Sequence, residues 1–392
     1  MESFFRTHKY LVEHTNSPVK RELMQEIDWN RRLIGIKGTR GVGKTTFLLE
    51  YAKENFGTDR SCLYINLNNL YFTQCTLHDF AAKFHAQGGK TLLVDQVFKY
   101  PDWSAELRRC YDNLPELKIV FTGSSVMRLK EENPFLSGIV DSYYLRGFSF
   151  REFLNLMAGT RFPSIKLPDI LSHHTSIARE ICSKTNPFDY FKDYLHHGFY
   201  PFFLEKRNFS ENLIKTMNMM LEVDILFLKQ IELTYLPKVR KLLYLLAQTA
   251  PSTPNISQLS QEICTSRATV VNYIKYLKDA RLINMLYPVG DSFPKKPAKV
   301  YMHNTNLMYP VSLGNVDEQA VRETFFYNTL YKDNRLNTGN KKSTFTVNET
   351  LNFKVEAEPV KKRLRPDVYY AVDRLQEGSG NQIPLWLFGF LY

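Results

Sequence analysis

The residues from Gly38 to Thr45 have the types and the spacing of a loop that holds phosphate, G-x-x-x-x-G-K-[ST]. Glycines have no side chain to block the backbone, so several N–H groups can turn toward one phosphate group. A helix that begins directly behind such a loop favours negative charge at its N-terminus. The alternative is a glycine-rich turn that matches the pattern by accident, and the flanking residues decide between the two.

Residues 31–37 are apolar enough for a buried strand, and residues 46–52 have the character of a helix. This order of strand, loop and helix is the context that the pattern requires. Lys44 is expected to reach the β- and γ-phosphates of ATP, and Thr45 to offer its hydroxyl group to Mg²⁺. The predicted nucleotide-binding residues are Gly38, Thr39, Arg40, Gly41, Val42, Gly43, Lys44, Thr45 and Thr46.

A second candidate for metal binding, Asp95, ends another short apolar segment. Short apolar runs alternate with helical patterns, which indicates an α/β fold with a parallel sheet covered on both faces. The predicted strands are residues 63–67, 91–95, 118–122 and 143–145. Ligands of such sheets bind beyond the carboxyl ends of the strands. Asp95 is therefore predicted to hold Mg²⁺ through water, the alternative being a cap on the following turn.

Gln96 follows Asp95, where many ATPases of this kind have an acid that activates the attacking water. A glutamine can position water but is a poor proton acceptor. Loss of a general base costs about 10²–10⁴-fold in rate, so ATP binding with slow hydrolysis is predicted. Ser124, with Ser125 as second choice, would place a polar group near the γ-phosphate, or would cap the next turn.

Four segments together resemble a prokaryotic family of AAA+ ATPases that has a C-terminal domain of unknown function: residues 38–45, 95–103, 122–125 and 145–154. The chain departs from that family's pattern at Gln96 and Phe98. It also lacks the arginine that relatives often have after a Leu-Ser pair, here Leu136-Ser137. An arginine finger is therefore in question, and the substitutes that stay open are Arg128, Arg146 and Arg151.

Four regions are predicted: an AAA+ nucleotide-binding domain (1–154), a helical lid with connecting helices (155–245), a winged helix-turn-helix (246–298) and a degenerate restriction-endonuclease-like α/β domain (299–392). The first region opens with helices over residues 1–30, one of them spanning residues 19–27. One or two connecting helices are expected over residues 229–249, with a break at Pro237.

The helix-turn-helix pattern lies in residues 256–277, with Ser266 as the cap of the second helix. Thr269, Tyr273 and the three candidate nucleic-acid contacts are expected to face outward; those candidates are Arg267, Asn272 and Lys275. Such modules also bind proteins, so DNA and a protein partner both stay open.

The C-terminal region resembles restriction-endonuclease folds, but Asn352 stands at the expected first acid. The remaining candidates, Glu323, Lys354 and Glu356, do not complete the expected pattern, which favours a domain without catalysis over a nuclease. Residues 385–392 are very apolar and should pack on the body of the protein.

The composition is that of a globular protein, with 44% hydrophobic and 23% charged residues and a net charge of +11. No apolar run reaches the roughly 18 residues of a membrane span, no signal peptide is recognised, and the five cysteines are scattered. A cytoplasmic protein without membrane contact is expected, with an acidic partner such as DNA and with oligomers allowed. The alternative to a slow ATPase is a switch that binds nucleotide without hydrolysis.

Overall fold

The computed structural model describes residues 1–127, 129, 133–205, 207–227, 229–312, 314–361 and 364–392. The chain forms two compact units, Met1–Gly147 and Phe148–Tyr392. In the described residues, no helix is both long enough and apolar enough to cross a membrane.

The first unit is built on a parallel sheet with the strand order β2-β3-β4-β1-β5 in its described residues. The strands are β1 (Leu33–Gly38), β2 (Cys62–Asn66), β3 (Thr91–Asp95), β4 (Lys118–Ser124) and β5 (Asp141–Tyr144). The first four strands are almost wholly buried because helices cover both faces of the sheet. The edge strand β5 is half-buried throughout.

The helices of this unit are α1 (Glu2–His14), α2 (Leu23–Glu26), α3 (Lys44–Asn55), α4 (Leu77–Ala86) and α5 (Trp103–Asn113). The helix predicted over residues 19–27 is much shorter, since only α2 forms there. The physical reason is a tertiary contact: the Arg21 side chain is buried and bonded to distant backbone carbonyls. Such contacts override local helix propensity.

The second unit begins with helices α6 (Phe150–Ala158), α7 (Leu167–Lys184), α8 (Phe188–Asp193), α9 (Phe209–Met219) and α10 (Leu236–Thr249). Two π-helical segments, Tyr194–Gly198 and Met220–Phe227, follow α8 and α9. Pro237 lies in the first turn of α10 and starts that helix instead of breaking one. Proline suits this position because the first turn needs no N–H donor from it.

Next come α11 (Ile256–Glu262), α12 (Arg267–Asp279) and the antiparallel hairpin of β6 (Ile283–Leu286) and β7 (Lys299–Met302). The predicted cap of the second helix is confirmed, since the Ser266 side chain accepts a hydrogen bond of 3.1 Å from the Thr269 N–H. The two helices and the hairpin occur in the predicted order.

The chain then forms α13 (Glu318–Leu330), β8 (Leu336–Thr338), β9 (Phe345–Val347), β10 (Leu351–Glu356), β11 (Val368–Val372) and β12 (Gln382–Pro384). The described strands form one sheet, ordered β12-β11-β10-β9-β8. The predicted packing of the apolar residues 385–392 is confirmed, because Leu385–Phe390 is a buried 3₁₀ helix in the core of this unit. Trp386 and Phe388 are fully buried there.

Candidate functional site

The loop between β1 and α3 has the backbone that the glycines predicted. Gly41 and Gly43 have φ angles of 79° and 90°, in the left-handed region that glycine adopts at little cost. The Lys44 ammonium group folds back over this loop and donates to the carbonyl oxygens of Gly38, at 2.9 Å, and Thr39, at 2.7 Å. The loop, the first turn of α3 and one cation therefore lie together, and this donor set fits a phosphate group.

At Gly38, close packing of the backbone, and not a left-handed φ angle, requires glycine. A Cβ atom at this position would lie 2.5 Å from the carbonyl oxygen of Leu145, closer than real Cβ contacts. The Leu145 N–H also donates to the Lys37 carbonyl at 2.8 Å, so the chain after β5 runs tightly against the end of β1. Close backbone packing, and not only phosphate binding, explains this part of the motif.

Arg21 stabilises the phosphate loop through hydrogen bonds to backbone carbonyls, and the sequence did not indicate this contact. Its guanidinium group is buried and donates to the Val42 carbonyl at 3.1 Å and to the carbonyls of Arg146, at 2.6 Å, and Gly147, at 3.2 Å. Arg21 lies between Lys20 and Glu22 in a predicted helix with several charged residues, so nothing in the sequence distinguished it. Its partners lie far away in sequence, so the contact could not be predicted.

Asp95 is 1% exposed, and three hydroxyl groups surround its carboxylate. Thr45 Oγ1 and Tyr64 Oη donate to Oδ2 at 2.7 and 2.9 Å, and Thr122 Oγ1 donates to Oδ1. A buried carboxylate is costly unless hydrogen bonds replace its water, and these donors provide that replacement. The structure thus brings together Thr45 and Asp95, the two residues predicted to hold Mg²⁺.

Tyr64 is the second functional residue that the sequence missed. It lies on β2, next to β3, and burial together with the charge of Asp95 raises the pKa of its hydroxyl group. Its backbone N–H donates to Nδ1 of the buried His8 at 3.0 Å. Burial lowers the pKa of His8, which favours the neutral ring that can accept this bond. A tyrosine in an apolar strand gave no signal of this role.

Gln96 has a φ of 58°, in the left-handed region that few residues other than glycine adopt. Its backbone N–H donates to Thr122 Oγ1 at 3.0 Å, so its backbone is tied to the residue that also bonds Asp95. Within the described part of the chain, its side-chain amide makes no hydrogen bond. The residue is therefore fixed through its backbone, next to the buried carboxylate.

Ser124 is buried and pairs with Gly38 at the end of β4, so it lies beside the start of the phosphate loop. Its Oγ accepts a long hydrogen bond of 3.4 Å from the Val126 N–H, which is the turn contact considered as the alternative. The adjacent Ser125 is half-buried.

The three arginines considered as substitutes for an arginine finger differ in what the structure shows of them. Arg128 lies outside the described residues. Arg146 contributes its backbone carbonyl to the Arg21 contact. Arg151 is buried in the second unit, where its guanidinium group donates to the carbonyls of Phe162 and Tyr392.

The helix-turn-helix presents fewer polar groups than expected. Arg267 and Asn272 are exposed on α12, as predicted. The Lys275 side chain is 15% exposed, and its ammonium group pairs with Asp279 at 2.5 Å. The expectation that Tyr273 faces outward is wrong, because Tyr273 is buried. It widens the apolar stripe of Val270, Ile274 and Leu277, as helical spacing allows.

The acids and the lysine singled out near the C-terminal sheet do not converge. Glu323 accepts a hydrogen bond from Tyr301 Oη at 2.8 Å, whereas Lys354 pairs with Glu356 at 2.5 Å. The side-chain oxygen of Asn352, Oδ1, accepts a hydrogen bond from Thr346 Oγ1 at 3.2 Å. Among the described residues, no group of three or more His, Cys, Asp or Glu side chains could hold a metal ion.

Comparison with known families identifies two parts of the chain. Residues 30–154 match a family described as an AAA domain, and residues 188–318 match a domain of unknown function, DUF8612. Two uncharacterised proteins of Methanocaldococcus jannaschii are similar over 69% and 73% of this chain, with 28% and 24% identity. The chain covers 59% and 64% of the length of these relatives.

Solved structures with partial similarity include an Orc1 protein of Aeropyrum pernix in complex with DNA. It has 12% identity and a TM-score of 0.30, over 82% of this chain and 92% of that one. DnaA of Aquifex aeolicus with bound AMPPCP has 14% identity and a TM-score of 0.26, over 70% and 88% of the two chains.

Proposed function

We propose that this chain, whose residues 30–154 match an AAA domain and whose residues 188–318 match a domain of unknown function, is an AAA+-type P-loop protein that binds ATP with Mg²⁺ and hydrolyses ATP slowly on its own. One observation carries the proposal. Thr45, at the start of the helix behind the phosphate loop, bonds directly to the buried Asp95 at the end of β3. A phosphate-binding loop and a metal-binding carboxylate thus share one edge of the sheet.

For nucleotide binding, we assign the phosphates to the loop backbone and to Lys44. The left-handed glycines Gly41 and Gly43 shape the loop, and the first turn of α3 supplies N–H groups with no partner inside the helix. The Lys44 ammonium group already lies over the loop carbonyls and needs only to exchange them for phosphate oxygens. Arg40 and Thr46 flank this surface and complete the proposed binding residues.

For the metal ion, the fit rests on the chemistry of the donors. The Thr45 hydroxyl and the Asp95 carboxylate are hard oxygen donors, which Mg²⁺ prefers, and they are in contact. Bound Mg²⁺ would neutralise part of the charge on the β- and γ-phosphates. The three hydroxyl groups around Asp95 hold the carboxylate in a fixed orientation.

Slow hydrolysis follows from Gln96. Its amide can orient a water molecule but cannot take the proton that the water must lose. Ser124 offers one hydroxyl group near the start of the phosphate loop and is also a poor base. Residues 138–140, directly after Leu136-Ser137, include no arginine that could stabilise the transition state. We expect turnover below about 1 s⁻¹, beneath the range typical of kinases. A partner that supplies the missing groups would raise it.

The test compares the wild-type protein with Lys44→Ala. A hydrogen bond to a charged group is worth about 1.5–3 kcal/mol, so ATP affinity should fall roughly 10- to 150-fold in calorimetry. Lys53→Ala is the matched control, because Lys53 lies in the same helix but is exposed and bonded to the Thr15 carbonyl. Unchanged affinity in a folded Lys44→Ala protein contradicts the assignment. Phosphate release well above 1 s⁻¹ by the wild type contradicts slow hydrolysis.

A second function, a nucleotide-dependent switch without hydrolysis, is favoured by the same residue. Gln96 removes the base while leaving Lys44, Thr45 and Asp95, which make the binding contacts. Such a protein would respond to the presence of ATP and not to its cleavage. Turnover in Gln96→Glu distinguishes the two functions.

We further propose that the helix-turn-helix contacts duplex DNA. Arg267 and Asn272 are exposed on α12, the helix that such folds place in the major groove, and the net charge of the chain is +11. Lys275 contributes less than these two, because it is already paired with Asp279. Affinity for a DNA duplex should fall steeply with salt and should weaken in Arg267→Ala.

A further inference from the structure

We propose that the hairpin loop 339–344, between β8 and β9, binds duplex DNA in addition to the helix-turn-helix. Its lysines would contact the phosphate backbone beside the site where α12 binds. The inference rests on the DNA contact proposed above and extends it to the C-terminal sheet. It assigns a role to a region whose acids do not form a metal site.

The first support is the direct connection between the two hairpins. The Thr338 N–H, at the end of β8, donates to the Tyr287 carbonyl at 2.9 Å. The Asn337 side-chain amide donates to the carbonyls of Tyr287 and Pro288, both at 3.2 Å. Tyr287 and Pro288 begin the β6–β7 loop (residues 287–298). The loop 339–344 therefore leaves the sheet where the β6–β7 loop starts.

The second support is the contact between the β6–β7 loop and α12. The Lys275 ammonium group lies 5.8 Å from the ring centre of Phe293, a residue of this loop. Helix α12, the β6–β7 loop and the loop 339–344 thus follow one another across the second unit. A duplex that engages Arg267 and Asn272 on α12 would extend toward both loops.

The third support is a set of hydrogen bonds within the loop 339–344 that hold its backbone in one conformation. The Gly339 N–H donates to the Thr344 carbonyl at 3.1 Å, and the Asn340 N–H donates to Ser343 Oγ at 3.0 Å. The Lys342 N–H donates to the Asn340 side-chain oxygen at 2.8 Å. The loop is therefore a closed turn that fixes the backbone positions of Lys341 and Lys342, which lowers the backbone entropy lost on binding.

The fourth support is charge. Lys296 in the β6–β7 loop and Lys341 and Lys342 in the second loop are exposed, and none has an ion-pair partner among the described residues. Basic residues elsewhere in the C-terminal sheet are paired: Arg335 with Glu349, Lys354 with Glu356 and Arg374 with Glu358. Uncompensated positive charge at two adjacent loop tips suits the evenly spaced phosphates of duplex DNA.

The test is the salt dependence of binding of the full-length protein to a short DNA duplex. In the variant Lys341→Gln/Lys342→Gln, the slope of log affinity against log salt should shrink by about 1.8, which is about 0.9 for each lost phosphate contact. Affinity at low salt should fall at least about tenfold. Thermal unfolding verifies that the variant is folded.

The matched control is Lys184→Gln/Lys215→Gln, which removes the same charge from the same unit. These two lysines are paired with Glu180 and Glu211 on helices outside the proposed surface. If the control changes the slope as much as the test variant, net charge and not the loop explains the effect, and the inference is overturned. Equal slopes for the wild type and the loop variant also overturn it.

The outcomes separate this inference from the proposed DNA contact. If the wild type binds the duplex, Arg267→Ala weakens it and the loop variant does not, only the loop is excluded. If the wild type does not bind at low salt, the DNA contact fails and the loop inference fails with it. Loss of binding in both Arg267→Ala and the loop variant, with the control unchanged, supports one continuous surface.

Discussion

The two sheets of this protein carry similar polar residues and arrange them differently. In the first unit, Thr45, Tyr64 and Thr122 come from three separate segments, and all three donate to the carboxylate of Asp95. In the second unit, Glu323 and Asn352 have separate hydroxyl donors, and Lys354 pairs with Glu356 two residues away. One sheet directs its polar groups toward a common point, whereas the other satisfies them in local pairs.

The difference shows which features distinguish a candidate site from a solvated surface. Asp95 is 1% exposed and accepts hydrogen bonds from three separate segments of the chain, so changing any donor alters the same group. The Lys354 and Glu356 side chains are 47% and 28% exposed, and such pairs contribute roughly 0–1 kcal/mol. Residue types offered candidate residues in both regions, although the incomplete pattern near the second sheet favoured a domain without catalysis; among these residues, convergence occurs only around Asp95.

Among the tests of this contrast between the two sheets, the largest effect is expected from Gln96→Glu. Restoring a general base should raise ATP turnover by about 10²-fold or more, while ATP affinity changes little. Steady-state phosphate release and calorimetry measure the two quantities. Lys44→Ala in the Gln96→Glu background is the control and should abolish the gain. If turnover stays undetectable in Gln96→Glu, the first unit is a switch, and the convergence around Asp95 serves binding alone.

A smaller effect is expected from Tyr64→Phe, which removes one of the hydroxyl donors of Asp95. A hydrogen bond to a charged group is worth about 1.5–3 kcal/mol, so at least about a tenfold higher Mg²⁺ concentration should be needed for half-maximal nucleotide binding. Titration of Mg²⁺ at fixed ATP measures this shift.

Tyr51→Phe is the matched control for that titration. Tyr51 belongs to the same unit, is buried and stacks on Trp29 with ring centres 3.8 Å apart. Its hydroxyl group makes no hydrogen bond among the described residues. An equal shift in both variants would mean that Tyr64 acts through general packing, and the role of the Asp95 contacts would be refuted.

The smallest effect is expected in the second unit, from Glu323→Gln. Glutamine keeps a side-chain oxygen that can accept the bond from Tyr301 Oη, and the ion pair that is lost joins Glu323 to Lys299, which is 39% exposed and lies 3.6 Å away. Urea denaturation should therefore show a loss of less than about 1 kcal/mol. ATP affinity should not change, and plasmid DNA with Mg²⁺ or Mn²⁺ should stay intact with wild type and variant alike. The same acid-to-amide change in Asp95→Asn should abolish the Mg²⁺ dependence of nucleotide binding. If the wild type cleaves DNA in the presence of metal and Glu323→Gln does not, then the second unit also holds a metal site. The contrast between the two sheets would then be refuted.

The sequence predicted the elements whose signals are local. The strand β3 was predicted over residues 91–95 and has these bounds, and the phosphate loop occupies the predicted position between β1 and α3. The Ser266 cap was also predictable, because a cap depends on residues within one turn. These features need only the order of residue types along a short stretch.

The contacts that the sequence did not predict are those made across long separations. Arg21 bonds to residues 146 and 147, and Tyr64 bonds to Asp95 on the neighbouring strand. Tyr273 illustrates the opposite error, since its polar hydroxyl favoured exposure and its ring is buried. In each case, packing between elements determines the role of the side chain, and one sequence does not reveal which elements meet.

The backbone geometry of Gln96 has a consequence for how this protein can evolve. The left-handed φ and the N–H bond to Thr122 hold residue 96 in place without involving its side chain. Glutamine and glutamate have nearly the same shape, and their codons differ by a single base. A point mutation can therefore exchange the weak base for a strong one without rebuilding the fold. Under the proposed function, natural selection could therefore change the rate of ATP hydrolysis at this residue independently of stability.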